Sequence, residues 1–264
     1  MLKLKPGKTR EGAAKGVAAV DRALSIVAAL EADPRPRTLA EVSKVTSLYK
    51  STILRLLVSL EAAGYVARLA DGRYRLGAMA YRLGLAFERA DPLREHVLPV
   101  LHRLVEQGTE SSSLHVRRDA DTRLCLFRVD SHHSTLDRVH AGDILPLRKG
   151  AAGHVLLAFD GETGTKYDEI RRNFVAISLG ERDPSCAGIA SPIFGPDGSL
   201  KATVSLSGPA ERFTKPKIAW MSTMVLAAAR DMTQALGGSF PTRVSVSSTA
   251  ETPHSARRRR SVAR

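Results

Sequence analysis

The first third of the chain carries an ordered set of signals that few folds accommodate: a capped short helix, a break, an amphipathic helix and a hairpin. Thr38 and Glu41 have the spacing of a capping box, in which each side chain satisfies the backbone amide of the other residue. The box predicts a helix over 39–45. After a short break, apolar residues at helical spacing predict a longer helix over 49–63, with Gly64 as its left-handed cap.

The longer helix has one apolar and one polar face. At 100° per residue, its apolar face carries Ile53, Leu56, Leu57 and Leu60. A helix of this kind, after a short helix and a turn, is typical of a helix-turn-helix whose second helix enters the major groove of DNA by its N-terminal half. Arginine suits guanine, and Ser and Thr suit phosphate oxygens or base edges. The candidate DNA contacts on this helix are Lys50, Ser51, Thr52, Arg55 and Ser59.

A hairpin is predicted directly after Gly64, because an Asp71-Gly72 pair stands between two alternating segments. This hairpin would present a basic wing beside the second helix. An amphipathic helix pair also occurs in structural bundles, and for the helices alone that reading stays open. The hairpin favours DNA binding and adds three candidate contacts, which are Arg68, Arg73 and Arg75.

Charge is spread unevenly along the 264 residues. Residues 1–90 hold 16 basic and 8 acidic side chains, residues 91–240 hold 18 of each, and residues 241–264 hold 6 and 1. A positive excess confined to one region is typical of a surface that meets a polyanion, although scattered arginine can also serve solubility alone. We therefore expect double-stranded DNA as a partner of the first region and a different role for the neutral middle.

Both ends of the chain are predicted to be disordered. Residues 1–16 form a basic arm without an apolar period, and residues 238–264 form a basic tail rich in Ser, Thr and Pro. The chain has 2 Cys, no signal-peptide pattern and no apolar run near the length of about 18 residues that spans a bilayer. We therefore expect a cytoplasmic protein with no membrane partner.

Alternating helices and strands are predicted beyond residue 77. Helices over 77–89 and 92–107 flank Asp91-Pro92, which suit an N-cap and a first helical position. This order indicates an α/β sheet domain with a concave face, a common place for a small-molecule pocket. The strands and closing helix predicted after these helices are 111–117, 124–129, 189–194, 202–206 and 215–236.

Motifs in both halves of the chain carry a family resemblance. In the first half they are residues 20–24, 38–45, 50–57 and 64–65. In the second half they are residues 145–158, 180–183, 188–194, 205–209 and 212–213. In these segments the chain resembles the IclR family of bacterial transcriptional regulators, over roughly residues 17–237.

The resemblance implies an α+β architecture: a winged helix-turn-helix over 17–77, a linker helix over 78–91 and a GAF-like α/β effector-binding domain over 92–237. It also implies a transcriptional regulator, more often a repressor, that acts as a dimer or a dimer of dimers and binds a small-molecule effector. The effector contacts that it implies are Leu136, Ala151, Ala152, Gly188, Ser205 and Ser207.

Three residues depart from the family pattern: Ser47 replaces the turn Gly, Tyr49 replaces a Pro, and His154 replaces a Lys or Arg. The first two predict a less rigid turn. Unpaired amides at the start of the helix near Ala152 suit a carboxylate, which predicts a small anionic metabolite as the effector. Ser205 and its neighbours can also simply decorate a half-exposed strand.

The sequence offers little for catalysis or metal binding. His132, His133 and His140 lack the spacing of metal ligands. The chain contains no nucleophile elbow and no phosphate loop, and acidic neighbours disfavour the thiolate of Cys186. We expect no cofactor, no metal and no enzyme. Two rivals stay open: a sequence-independent DNA-binding protein without a ligand, and a small-molecule hydrolase or transferase.

Overall fold

The computed structural model describes residues 16–90 and 93–241. The chain divides into two compact units, residues 1–91 and residues 92–264. Residues 1–15 of the predicted arm, the Asp91-Pro92 junction and residues 242–264 of the predicted tail lie outside the described residues. Within the described ranges, no helix combines the length and the apolar character that crossing a membrane requires.

Among its described residues, the first unit contains four helices and a hairpin, and α1, α2, α3 and the hairpin share one core. Ile26, Ile53, Leu57 and Tyr74 are buried together in its core, which confirms the apolar face predicted for α3. The hairpin is antiparallel, and Arg37 adds one bridge to it. The elements are α1 (Ala18–Glu31), α2 (Leu39–Thr46), α3 (Lys50–Ala62), β1 (Val66–Arg68), β2 (Tyr74–Leu76) and α4 (Ala78–Ala90).

Local interactions define the start of α2 and the turn between α2 and α3. The predicted capping box is present, since Thr38 Oγ1 accepts from the Glu41 amide at 3.3 Å and Glu41 Oε2 accepts from the Thr38 amide at 2.7 Å. Ser47 has a φ of 58°, in the left-handed region that favours glycine. Tyr49 has a φ of −65°, the value that proline would impose. Both departures keep the expected backbone path, and the lower rigidity of the turn stays a prediction.

The second unit is built on one antiparallel sheet of six strands in the order β5-β4-β3-β8-β7-β6. Together with the helices this sheet confirms the α+β class. The elements are α5 (Leu93–Glu106), β3 (Ser111–Arg117), β4 (Thr122–Val129), β5 (Ile144–Pro146), α6 (Ala151–Phe159), α7 (Thr165–Asn173), β6 (Ala176–Leu179), β7 (Cys186–Phe194), β8 (Leu200–Pro209), a 3-10 turn (Ala210–Arg212) and α8 (Lys215–Ala235).

The two faces of the sheet have different neighbours. Helices α5 and α8 cover one face, where Leu114 and Val204 are buried in the main core. Helix α6 packs on the other face, where Val155 and Ala190 are buried together. Because successive strand residues point to opposite faces, His115 lies on the α6 side, opposite to Leu114. Polar strand residues on this side are therefore available to a cleft beside α6.

Two predictions for this unit need correction. Helix α7 and strand β6 were not predicted, because both are short, with 9 and 4 residues, and α7 buries only Ile170 within its bounds. The disorder predicted from residue 238 begins too early. The ring of Phe240 lies 5.1 Å from that of Phe174 and 5.5 Å from that of Phe194, so aromatic packing orders the first residues of the segment.

Candidate functional site

The exposed side of α3 carries the residues that the sequence predicts to contact DNA. Neither Lys50 nor Arg55 has an ion-pair partner in the described part of the chain. Their charges are therefore available to phosphates or base edges. The exposed members of the predicted set are Lys50, Ser51, Arg55 and Ser59, and Thr52 is half-buried.

Two apolar side chains that the sequence analysis did not single out lie on the same side of α3. Leu54 and Val58 are 47 % and 71 % exposed and are one helical turn apart. An aliphatic side chain in a major groove suits the methyl group of thymine. On a helical projection both residues lie outside the apolar face of α3, and this position could have identified them from the sequence.

The three predicted wing arginines are all exposed but differ in their partners. Arg73 Nη2 lies 2.6 Å from Asp71 Oδ2, and Arg73 Nε donates to the same oxygen at 2.7 Å. The guanidinium of Arg68 lies 5.8 Å from the ring centre of Tyr74. Arg75 has no ion-pair partner among the described residues. Arg75 therefore presents an uncompensated charge, whereas Asp71 offsets the charge of Arg73.

A cleft opens in the second unit between the N-terminus of α6 and strands β3, β7 and β8. A Cβ atom on Gly188 would lie 3.2 Å from the Leu206 carbonyl oxygen and 4.0 Å from Ala151 Cβ, so glycine leaves room at this point. The predicted effector contacts that line the cleft are Ala151, Ala152, Gly188, Ser205 and Ser207.

The cleft is small. Its free space is about 440 Å³ when the solvent at its mouth is included. This volume suits a ligand of few heavy atoms. Leu136, the sixth predicted contact, does not line the cleft and its side chain is 37 % exposed. The next residue, Asp137, is buried in ion pairs, which turns Leu136 outward.

Two arginines that the sequence analysis missed line the cleft. Arg123 is 3 % exposed, and its Nη1 donates to the carbonyls of Pro146 and, at 2.8 Å, Lys149. Burial, together with the nearby charge of Arg182, lowers the pKa of Arg123 to about 10, so its guanidinium stays protonated at neutral pH. Arg182 also lines the cleft, and its Nη2 lies 3.4 Å from Asp137 Oδ2.

A chain of neutral polar groups lines the floor of the cleft on the sheet. Ser113 Oγ lies 3.1 Å from His115 Nε2 and 3.1 Å from Ser205 Oγ. His115 directly follows a β-bulge, a distortion that re-aims side chains. Burial lowers the pKa of His115 well below its ordinary value, and the positive charges of nearby arginines add to this shift. His115 is therefore a neutral group with hydrogen-bonding capacity.

Glu181 holds the loop that leads into α6. Its Oε2 accepts from the Gly150 amide at 3.1 Å and contacts His154 Nε2, and its Oε1 lies 3.0 Å from Lys166 Nζ. Burial raises the pKa of Glu181, but the hydrogen bonds from His154, Gly150 and Lys166 outweigh it and hold the pKa at about 2. A carboxylate therefore fixes the loop beside the cleft, and Lys166 adds a cation near His154.

The described residues contain no group of three or more His, Cys, Asp or Glu side chains that could hold a metal ion. Of the histidines considered above, His133 lies 3.6 Å from Glu110, and His132 is exposed. Both cysteines are free, and burial raises the pKa of Cys125 to about 12.

A winged helix-turn-helix with exposed cations and a sheet unit with a small polar cleft define the class of ligand-modulated DNA-binding regulators. The comparisons with known proteins agree with this class. Residues 19–70 match the IclR helix-turn-helix domain, and residues 164–234 match the bacterial transcriptional regulator IclR C-terminal domain.

Two relatives align with most of the chain. It is 30 % identical over 243 residues to the HTH-type transcriptional regulator BhcR of Paracoccus denitrificans, with 82 % of this chain and 86 % of that one covered. It is 24 % identical over 261 residues to the transcriptional repressor IclR of Escherichia coli, with 89 % and 95 % covered. The chain therefore belongs to the IclR family of transcriptional regulators.

Solved structures share the fold. An IclR transcriptional regulator from Alicyclobacillus acidocaldarius has a TM-score of 0.74 at 21 % identity, with 84 % of this chain and all of that chain covered. An IclR homologue from Microbacterium hydrocarbonoxydans, complexed with 4-hydroxybenzoate, has a TM-score of 0.72 at 21 % identity, with 83 % and 99 % covered.

Proposed function

We propose that this regulator acts as a repressor and that a small carboxylate-bearing metabolite, bound in the cleft of the second unit, changes its affinity for the operator. The observation that carries the proposal is the cleft itself, where Arg123 and Arg182 face a space suited to few heavy atoms. The protein is then a cytoplasmic, non-catalytic DNA-binding protein that works as a dimer or a dimer of dimers.

The two units have different roles in this proposal. We assign DNA binding to residues 17–77, a linker to residues 78–91 and effector binding to residues 92–237. Within the first segment, Arg55 and its neighbours on α3 read bases, and Leu54 and Val58 meet thymine methyl groups. Arg73 and Arg75 of the wing contact phosphates and position the domain.

A carboxylate effector is supported by charge and by a relative. Cations line the cleft and the amides at the start of α6 border it, and both favour an anion. The IclR homologue from Microbacterium hydrocarbonoxydans was solved with 4-hydroxybenzoate, which is a carboxylate. The proposal extends the chemical class, and not that particular compound, to this chain.

Selection from randomised duplex DNA tests the proposal. The purified full-length protein is incubated with the library at physiological salt and the bound fraction is sequenced. We expect an inverted repeat, because a symmetric dimer places two recognition helices in successive major grooves. Strong binding without an enriched sequence and with steep salt dependence would instead indicate a sequence-independent DNA-binding protein.

The enriched duplex then serves as the probe for the effector. Small carboxylates are added to the complex, and the affinity for the duplex is measured by fluorescence anisotropy. A change in affinity with at least one carboxylate supports the proposal. Specific DNA binding that no small molecule alters would contradict the effector-binding half.

A further inference from the structure

The charges around the cleft do not balance. Arg128 Nη2 lies 2.5 Å from Asp137 Oδ1 and its Nε lies 2.6 Å from Asp130 Oδ1, while Arg182 reaches Asp137 Oδ2. These three ion pairs join two guanidinium groups to two carboxylates. Arg123 is the further arginine at this site, and no carboxylate of the described residues forms an ion pair with it.

The contacts of Arg123 fix its position without neutralising it. Its Nη1 donates to two carbonyl oxygens in the segment between β5 and α6, and its Nε has no hydrogen-bond partner within the described chain. Carbonyl groups accept hydrogen bonds but carry no net charge. A buried, charged guanidinium without a counter-ion is unfavourable, and an anion in the cleft would relieve it.

The part of the cleft wall around His115, on the strand β3 that pairs with the β4 strand of Arg123, calls for a different group. His115 is buried, its Nδ1 has no partner within the described chain, and its Nε2 faces Ser113. Because His115 is neutral, this wall offers hydrogen bonds but no charge. A hydroxyl group, which both donates and accepts, satisfies either tautomer of the imidazole.

We infer that Arg123 is the residue that determines the charge of the effector: it binds a single carboxylate, and His115 on the neighbouring strand β3 binds an uncharged hydroxyl group of the same small molecule. The inference rests on the proposed function and adds to it the class of ligand, a compact hydroxy-monocarboxylate. A dicarboxylate fits less well, because the cleft has one uncompensated positive charge and no second one at its neutral wall.

The test uses the full-length protein, glycolate and lactate as probes, and glycolamide, lactamide and malate as comparisons. Isothermal titration calorimetry measures each affinity for the wild type and for Arg123→Gln, Arg123→Lys and the control Arg118→Gln. Arg118 is an exposed arginine on the neighbouring strand connection and does not line the cleft.

We expect the hydroxy acids to bind the wild type and the control alike, and to bind Arg123→Gln at least about tenfold more weakly. Arg123→Lys keeps the charge and should retain more of the affinity than Arg123→Gln. The amides should not bind, and malate should bind more weakly than lactate. Thermal unfolding without ligand supplies a second readout: removal of an uncompensated charge should leave Arg123→Gln about as stable as the wild type.

Several results would overturn the inference. Equal affinity of wild type and Arg123→Gln for the hydroxy acids, binding of the amides, or a failure of both hydroxy acids to bind the wild type would each do so. A large loss of stability in both Arg123 variants would assign Arg123 to the fold instead. If a carboxylate without a hydroxyl group releases the selected operator duplex and the hydroxy acids do not, this inference fails while the proposed function stands; if no carboxylate releases the duplex, the effector-binding half of the proposed function fails.

Discussion

The two units use unpaired arginine in opposite ways. On α3 and the wing, Arg55 and Arg75 are exposed to solvent, so water screens their charge and they incur no desolvation cost. In the cleft, Arg123 is buried and held by backbone carbonyls, so its charge is costly until an anion meets it. An exposed arginine can be reached by DNA from solvent and can contact a phosphate or a base edge, whereas a buried one admits only an anion that fits the cleft. The same residue type therefore depends on exposure in one unit and on burial in the other.

The largest expected effect is on the free energy of unfolding, when a glycine in close backbone contact gains a Cβ atom. A Cβ atom on Gly153 in α6 would lie 1.9 Å from the Leu147 carbonyl oxygen, whereas one on Gly84 in α4 has no neighbour within 4 Å. We expect Gly153→Ala to lower the free energy of unfolding of the second unit by at least about 3 kcal/mol. Denaturant unfolding followed through Trp220, the single tryptophan, measures this.

Gly84→Ala is the matched control for that experiment. It should raise the free energy of unfolding of the first unit by up to about 1 kcal/mol, because alanine favours a helix interior. Circular dichroism reports the change. Wild-type stability in Gly153→Ala would show that the cleft does not depend on this close approach.

The second prediction concerns base reading by the exposed cations. Arg55→Ala should weaken operator binding by about 1–3 kcal/mol and relax the base preference at one position of each half-site. Arg73→Ala, which removes the same charge from the wing, should weaken binding about equally on all sequences. Repeating the duplex selection with both variants distinguishes them, and a uniform loss from both would remove Arg55 from base reading.

The third prediction concerns the buried neutral histidine. Burial and nearby arginines lower the pKa of His115 in the folded state, so on acidification the unfolded state takes up a proton first. Its contribution to stability is therefore present above about pH 6.5 and falls below it, by up to about 1.4 kcal/mol per pH unit. Unfolding followed through Trp220 should show a shallower pH dependence in His115→Gln than in the wild type. Equal slopes would mean that His115 takes up a proton in the folded protein.

The smallest expected effect concerns Arg73, the wing arginine that forms an ion pair with a carboxylate among the described residues. Asp71 offsets the charge of Arg73, with 2.6 Å between Arg73 Nη2 and Asp71 Oδ2. Asp71→Asn should therefore raise the affinity for DNA by about two- to fivefold and steepen its salt dependence. Glu61→Gln, which removes the same charge at the far end of α3, is the control. A gain of the same size in both would reflect net charge alone.

Most of the fold is encoded in local signals that a single sequence displays. The capping box at Thr38, the apolar stripe of α3 and the Asp71-Gly72 turn involve residues close in sequence, so their pattern survives without an alignment. Helix α7 escaped prediction because it buries one residue. Its only helical signal is the spacing of Tyr167, Ile170 and the capping Phe174 in an otherwise polar segment.

The candidate cleft was predictable only in part. The resemblance located Ala151, Gly188 and Ser205, but nothing local marks Arg123 as a cleft residue. Its role depends on the pairing of β4 with β3 and β5 and on where the segment after β5 passes. A strand arginine reads as a solvated side chain until the tertiary structure buries it. Leu136 lies outside the cleft, next to the ion-paired Asp137, and its role as an effector contact stays a prediction.

Asp137 has a consequence for how this protein would respond to concentration. Its carboxylate already occupies one hydrogen-bonding edge of Arg182 at 3.4 Å, so an incoming anion that approaches this arginine competes with a group of the protein itself. Under the proposed function, this competition would raise the metabolite concentration at which half of the molecules are occupied. The internal carboxylate would then shift the response of the regulator toward higher metabolite concentrations.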